Sequence, residues 1–162
     1  MNRTFMITFA VGIAAVAIVV SGILYMQRGA RVGITGQILK VRTAALDENS
    51  SIAVIDFRFV NPSNVLFVVR DVAVQMEDND GKRYAGQVAS EMDAKRLFDA
   101  VPLLGQKFND TLIIRDKIAA RATADRMVAV RFEAAESRIE ARKRFLMRIE
   151  DVDGASSEIS EK

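Results

Sequence analysis

Apolar positions along this chain follow two patterns. Residues 5–26, FMITFAVGIAAVAIVVSGILYM, carry no charge between Phe5 and Met26, and an α-helix of that length rises about 33 Å against a hydrocarbon core of about 30 Å. The stretch is therefore expected to be a transmembrane helix. A cleavable signal peptide would need a shorter apolar region, about 7–15 residues, with a small-x-small exit. Tyr25, Met26, Gln27 and Arg28 do not supply that exit, so the helix is expected to be retained as a single-pass anchor. Residues 27–31 then form a linker. Arg28, Arg31, Lys40 and Arg42 follow the apolar run and on their own favour a cytoplasmic domain. Long domains translocate largely regardless of flanking charge, and the expectation is an extracytoplasmic domain.

From Val32 onward the apolar period is two, as in strands with one buried face. Val32, Ile34, Gly36 and Ile38 alternate with other residues up to Ala45, and Asp47 to Ser51 mark a turn. Ala53, Ile55, Phe57 and Phe59 then share one face, with Asp56 and Arg58 on the other. Pro62 has no N–H for a ladder and pushes Asn61 toward extended geometry, so the chain turns at Asn61-Pro62-Ser63-Asn64. The next strand, residues 65–76, is interrupted at Arg70-Asp71, which points to a bulge or a crossing between sheets. Asp78-Asn79-Asp80-Gly81 closes a hairpin with residues 84–88. Ser90 and Asp93 resemble a capping box that opens a short helix ending near Pro102. Further strands are expected at 111–114, 127–132 and 145–152, with a short helix or a polar connection over 134–144. Short strands between turn signals predict an all-β fold with one short helix, an immunoglobulin-like antiparallel β-sandwich over residues 32–154. Residues 155–162 are expected to be a disordered tail.

Composition narrows the chemistry. The 23 basic and 21 acidic residues among 162 are interleaved, for a net charge of +2, so no large single-sign field is present to hold nucleic acid. The chain has no Cys and no His. Thiolate and imidazole metal sites, Cys and His nucleophiles, Ser-His triads and disulfides are all excluded.

A strand ending in Phe57-Arg58-Phe59-Val60-Asn61-Pro62-Ser63-Asn64, followed by a long apolar strand, an Asp-x-Asp-Gly hairpin and a later Arg131-Phe132-Glu133 strand, resembles the water-stress and hypersensitive-response domain of LEA-14-like (LEA type 2) proteins. The family's Asn-Pro-Asn motif would fall on Asn61, Pro62 and Ser63, with Ser63 departing from the final Asn. The resemblance spans about residues 32–154. It implies a non-enzymatic, often membrane-anchored β-sandwich with roles in desiccation stress, protein binding or contact with lipid.

Other candidate chemistry is weaker. Placing Gly81 or Gly154 at the sixth position of an EF-hand loop puts Met76 or Ile149 where an oxygen ligand is required, so hairpin turns are the better account. Asp93 with Asp99, or Glu133 with Glu136, could pair as acid and base, and Ser63 or Ser90 could act as nucleophile. No base beside a nucleophile, phosphate loop or G-x-S-x-G sequence supports that chemistry. Arg138, Arg142, Lys143, Arg144 and Arg148 are interspersed with Glu133, Glu136, Glu140 and Glu150, a pattern that fits a salt-bridged surface or a contact with anionic headgroups. The turn of Asn61 to Asn64 fits a chain reversal held by side-chain bonds to backbone, and loops at sandwich ends also carry binding sites.

Two functions follow as expectations. The first is a membrane-anchored, non-catalytic interaction or scaffold module for a protein partner, with no cofactor and no metal, whose interaction residues are Asn61, Pro62, Ser63, Asn64, Val65, Phe67 and Val69. The second is lipid binding or transfer in an apolar groove between the sheets, lined by the long strand, with Val65, Phe67 and Val69 on one face and Leu66, Val68 and Val72 on the other.

Overall fold

A computed structural model describes residues 3–27 and 33–161; most of the expected linker, residues 28–31, and Val32 lie outside them. The chain divides into two units, Met1–Arg31 and Val32–Lys162.

The first unit is helix α1 (Arg3–Gln27). Val11, Val16, Ile18, Val19 and Ile23 are exposed around its circumference, as expected of a helix with no polar face. Among the described residues no helix is long and apolar enough to cross a membrane.

The second unit is a β-sandwich of eight strands: β1 (Thr35–Ala45), β2 (Ser51–Val60), β3 (Phe67–Glu77), β4 (Arg83–Val88), β5 (Lys117–Ile118), β6 (Thr123–Phe132), β7 (Arg144–Asp151) and β8 (Ser156–Ser160). They are linked in the order β1-β2-β6-β4-β3-β7-β8, with β5 paired to β3, and every named pairing is antiparallel. Strand β4 makes the corner between the layers. Its first part pairs with β3, up to Val74 opposite Gly86, and its last two residues pair with β6, Gln87 opposite Arg131 and Val88 opposite Val130. The backbone approaches closely there: a Cβ on Gly86 would stand 2.7 Å from the Phe132 ring, which is why glycine occupies the corner.

The phase of the strands agrees with the sequence pattern. Ala53, Ile55, Phe57 and Phe59 enter the main core, where Phe67, Phe132, Phe145, Met147 and Ile149 meet them. Phe57 stacks on Phe59 with centroids 5.7 Å apart, and Phe132 lies 5.6 Å from Phe145. Burying each large apolar side chain contributes about 1.5–3 kcal/mol.

The outer face of β2 is not open to solvent, however. Helix α2 (Glu91–Ala100) and the 3-10 turn Pro102–Leu104 lie across it, forming a second core of Ile52, Val54, Ala94, Leu104, Met127 and Ala129. Ser90 caps α2, its Oγ accepting the Asp93 N–H at 3.2 Å and donating to Asp93 Oδ2 at 2.7 Å. Arg42 pins the cover. Its guanidinium donates to the carbonyls of Leu104 (2.5 Å) and Gln106 (2.7 Å) and to Asp56 Oδ2 (2.8 Å), while Asn109 donates to Asp56 Oδ1 at 2.8 Å. Phe98 and Phe108 flank the same guanidinium.

Three expectations need correction. The stretch expected to be a disordered tail, residues 155–162, holds a strand: β8 pairs with β7 from Ser156 to Ser160, and Ile159 is buried in the main core, while Lys162 lies outside the described residues. Residues 111–114 are not a strand of the sheet, because only Thr111 bridges, in parallel to Met127, and Ile113 and Ile114 are exposed. Strand β6 begins at Thr123 rather than 127, since β2 pairs with it along its whole length. The two-residue β5 was not expected at all. The bulge does appear, as the register of β3 against β7 shifts between Val69 and Asp71. Within 134–144 the chain forms helix α3 (Glu136–Glu140), which buries Ile139.

Candidate interaction site

The Asn-Pro-Ser-Asn turn lies at one end of the sandwich. Asn61 is fully buried. Its Nδ2 donates toward the carbonyls of Val65 (2.8 Å), Ala119 (3.1 Å) and Ile118 (3.2 Å). Its Oδ1 accepts from Ser63 N–H at 3.1 Å and Ser63 Oγ at 2.7 Å, an Asx turn reinforced by a hydroxyl. The backbone is tied as well: Asn61 N–H donates to the Ala122 carbonyl, and Arg121 N–H to the Ser63 carbonyl. Arg121, at φ 61°, donates from Nε to Asn64 Oδ1 at 2.9 Å. A buried amide with both ends occupied holds two loops together and leaves no polar atom to offer a ligand.

The expected interaction residues therefore separate. Pro62, Asn64 and Val65 reach the surface, Ser63 is half-buried, and Asn61, Phe67 and Val69 are fully buried. The turn and Val65 come together at the end of the sandwich, while Phe67 and Val69 belong to the core.

A groove that the sequence pattern did not place lies on the flank where β4 turns the corner. It has a volume of about 640 Å³ and is lined by Asp71, Val72 and Ala73 of β3, Gly86 and Val88 of β4, the residues leading into α2, and Leu112, Ile113 and Ile114. One edge of β3 opens into it. On that edge β5 pairs with Phe67 and Val68, and β4 pairs with residues 74–77. Val69 is held by the Arg115 N–H and the Asp116 carbonyl. Among the described residues no strand pairs with residues 70–73 there. The floor is apolar, and the carboxylates of Asp71 and Glu91 stand among its walls. The Thr-Leu-Ile-Ile run was visible in the sequence. It was expected as a strand, and nothing local in it says that it lines a groove instead.

Elsewhere charge serves the fold. The Glu77 side chain is largely covered by Lys143 (3.0 Å), Arg144 (3.0 Å) and Arg83 (3.4 Å). Hydrogen bonds from Lys143 and Arg144 lower its pKa from 4.5 to about 2. The basic run of the sequence is thus partly committed to an ion-pair network, and Arg142 closes the edge by a bidentate pair with Glu161. Arg58 holds the Asp125 carboxyl below its ordinary pKa in the same manner, on a more exposed surface. Asp151 is buried, and its Oδ1 accepts the Val68 N–H at 2.8 Å, fixing the start of β3 to the end of β7. Among the described residues no group of three or more acidic side chains is placed to hold a metal ion.

No family model matches the chain, and no curated protein matches it. Solved structures similar to it include two β-rich proteins. An uncharacterized β-sandwich protein from Clostridium difficile 630 shares 11% identity at a TM-score of 0.41, covering 80% of this chain and 86% of that one. An ApaG protein from Pseudomonas aeruginosa PAO1 shares 10% identity at a TM-score of 0.33, covering 63% and 81%.

Proposed function

We propose that this protein is a membrane-anchored, non-catalytic β-sandwich that holds an extended segment of a protein partner in the groove beside β3. The observation that carries the reading is the unpaired edge at residues 70–73 facing an apolar groove. An extended chain laid there gains main-chain hydrogen bonds from the open edge, and its alternate side chains reach Val72, Ile113 and Ile114. An open edge in the middle of a strand is short enough to avoid indiscriminate pairing. The anchor is the uncharged run 5–26 within α1, which would hold the domain at a membrane and raise the effective concentration of a weakly bound partner there. An extracytoplasmic domain and the likeness to the LEA type 2 domain at Asn61, Pro62 and Ser63 belong to the same reading.

The alternative, lipid between the sheets, needs interior space. Phe57, Phe59, Phe67, Phe132 and Phe145 fill the interval between the layers, which favours the peptide reading.

The test is photo-crosslinking in the native membrane, with a benzophenone side chain at Ile114 or at Val72 and a control at Glu158 on β8. A discrete protein adduct is expected from the groove positions and not from Glu158, and Ile114→Asp should abolish the adduct formed at Val72. Lipid adducts, or protein adducts equal at all three positions, would overturn the reading.

A further inference from the structure

The end of the sandwich where the domain chain begins differs from the opposite end. Gly33 and Ile34 lead into β1 there, and Ile34 N–H donates to Ser157 Oγ at 2.9 Å. Thr35 pairs with Val60, and Val60 with Thr123. The same end carries the Asn61–Asn64 turn, tied to Ala122 and Arg121, and the 152–155 turn, tied by Val152 N–H to the Val68 carbonyl. Three large apolar side chains project from these loops: Val65, Leu66 and Val152, each about half exposed at 48%, 49% and 50%. Phe67 and Val69, which follow them in the chain, are fully buried, so the core takes up this segment only from Phe67 onward.

Cations accompany them. Lys117 of β5 and Arg121 in the loop after it are exposed, and Arg70, near the start of β3, is exposed 3.5 Å from the part-covered Glu150. Of the acids described in these loops, Asp151 is buried, Asp116 is bonded to Arg126 at 2.9 Å, and Asp153 is exposed, while Asp71 faces the groove. Apolar tips with basic side chains beside them are the pattern of a surface that settles among headgroups. The tips enter the acyl boundary, and the cations remain at the level of the phosphates.

In the sequence, six residues, 27–32, separate the uncharged run 5–26 from Gly33 at this end.

We infer that the Val65, Leu66 and Val152 loops rest in the headgroup region of an anionic bilayer, with Lys117 and Arg121 against lipid phosphates. The inference rests on the reading that residues 5–26 are inserted, and it gives the Asn-Pro-Ser-Asn turn a purpose. The buried Asn61 amide fixes the loop that carries Val65 and Leu66.

The chain contains no Trp, so single Trp substitutions report without background. Full-length Leu66→Trp and Val152→Trp are reconstituted into vesicles of phosphatidylcholine and phosphatidylglycerol, with and without brominated acyl chains. Leu46→Trp, on the turn after β1 at the opposite end, is the control, and Ile13→Trp reports insertion of α1. Leu66 and Val152 are half-exposed, so both substitutions leave the core intact. Both tip variants are expected to emit to the blue and to lose most of their intensity to brominated lipid, while the Leu46→Trp variant loses none. If Ile13→Trp is quenched and neither tip variant is, the anchor stands and the tip inference is overturned. If Ile13→Trp is not quenched either, the anchor reading fails first. A blue shift at the tip without quenching would mean that protein rather than lipid covers it, and would also overturn the inference.

Discussion

Replacing Asn61 separates a structural turn from a recognition motif. The side chain is buried, and its two Nδ2 hydrogens are distributed over three carbonyls, of Val65, Ile118 and Ala119. Two of those carbonyls have a second donor: Ser63 Oγ reaches Val65, and Ala122 N–H reaches Ala119. Asn61→Ala therefore forfeits two donated bonds, the Asx bond to Ser63, and some packing, without orphaning every acceptor. At about 1 kcal/mol for each bond, plus the penalty for the buried groups left unpaired, the cost comes to about 2–4 kcal/mol. That is a large fraction of the roughly 5–15 kcal/mol that holds a domain together. Asn61→Asp keeps the shape but turns a donor into an acceptor that faces three carbonyl oxygens. Its cost at neutral pH should exceed that of alanine, since Ser63 still serves one carboxylate oxygen but the other is buried against carbonyl oxygens with no donor, which is worse than an apolar gap. The sign of the pH dependence follows. An Asp at this position has its folded pKa raised above the ordinary value of about 3.9. Its destabilisation is complete above the folded pKa and disappears as pH falls below the unfolded one. Urea unfolding of the full chain in detergent, followed by circular dichroism near 218 nm where the strands absorb, gives both costs at pH 7 and pH 4. An Asn61→Ala cost below about 1 kcal/mol, or an Asp variant no worse than alanine at pH 7, would refute the account of Asn61 as a fixed tie between two loops.

Two further outcomes follow from the charged groups. Arg42→Ala should cost about 3–5 kcal/mol, because it strands the buried Asp56 carboxylate with Asn109 as its remaining partner. Hydrogen exchange should then quicken in α2 and Pro102–Leu104 before it does in β2, and uniform protection would count against Arg42 as the pin of that cover. For Glu77 the folded pKa is depressed from 4.5 to about 2, so the stability from its ion pairs is present above pH 4.5 and is lost as pH falls toward 2. The melting temperature of Glu77→Gln should fall less steeply than that of the parent over that window, and parallel curves would show that Lys143 and Arg144 do not hold the carboxylate as described.

The strands themselves were legible because period-two alternation reports the phase of a strand relative to a core, and that phase survives folding. Ala53, Ile55, Phe57 and Phe59 point inward as their spacing requires, and the Arg70-Asp71 break became a bulge. The turns were legible too, since Pro62, Gly81 and the Ser90 cap act through their own backbone. Alternation says nothing about what lies over the second face. The face that Asp56 marked as the outer side of a half-buried strand is covered, at Ile52 and Val54, by a helix some forty residues later, with Arg42 bonded to Asp56. Nor does a polar, acidic stretch announce a strand when its pairing partner supplies most of the burial, which is how β8 escaped notice until β7 was placed beside it. The candidate site divides in the same way. The Asn61 turn belongs to the sequence, whereas the groove beside β3 exists only because β4 leaves that edge at Gly86 to join β6. Local chemistry determined which segments could be strands and turns. Which edges were paired, which faces were covered and which were left open was decided by long-range packing, where each strand's environment is set by residues far away in the chain.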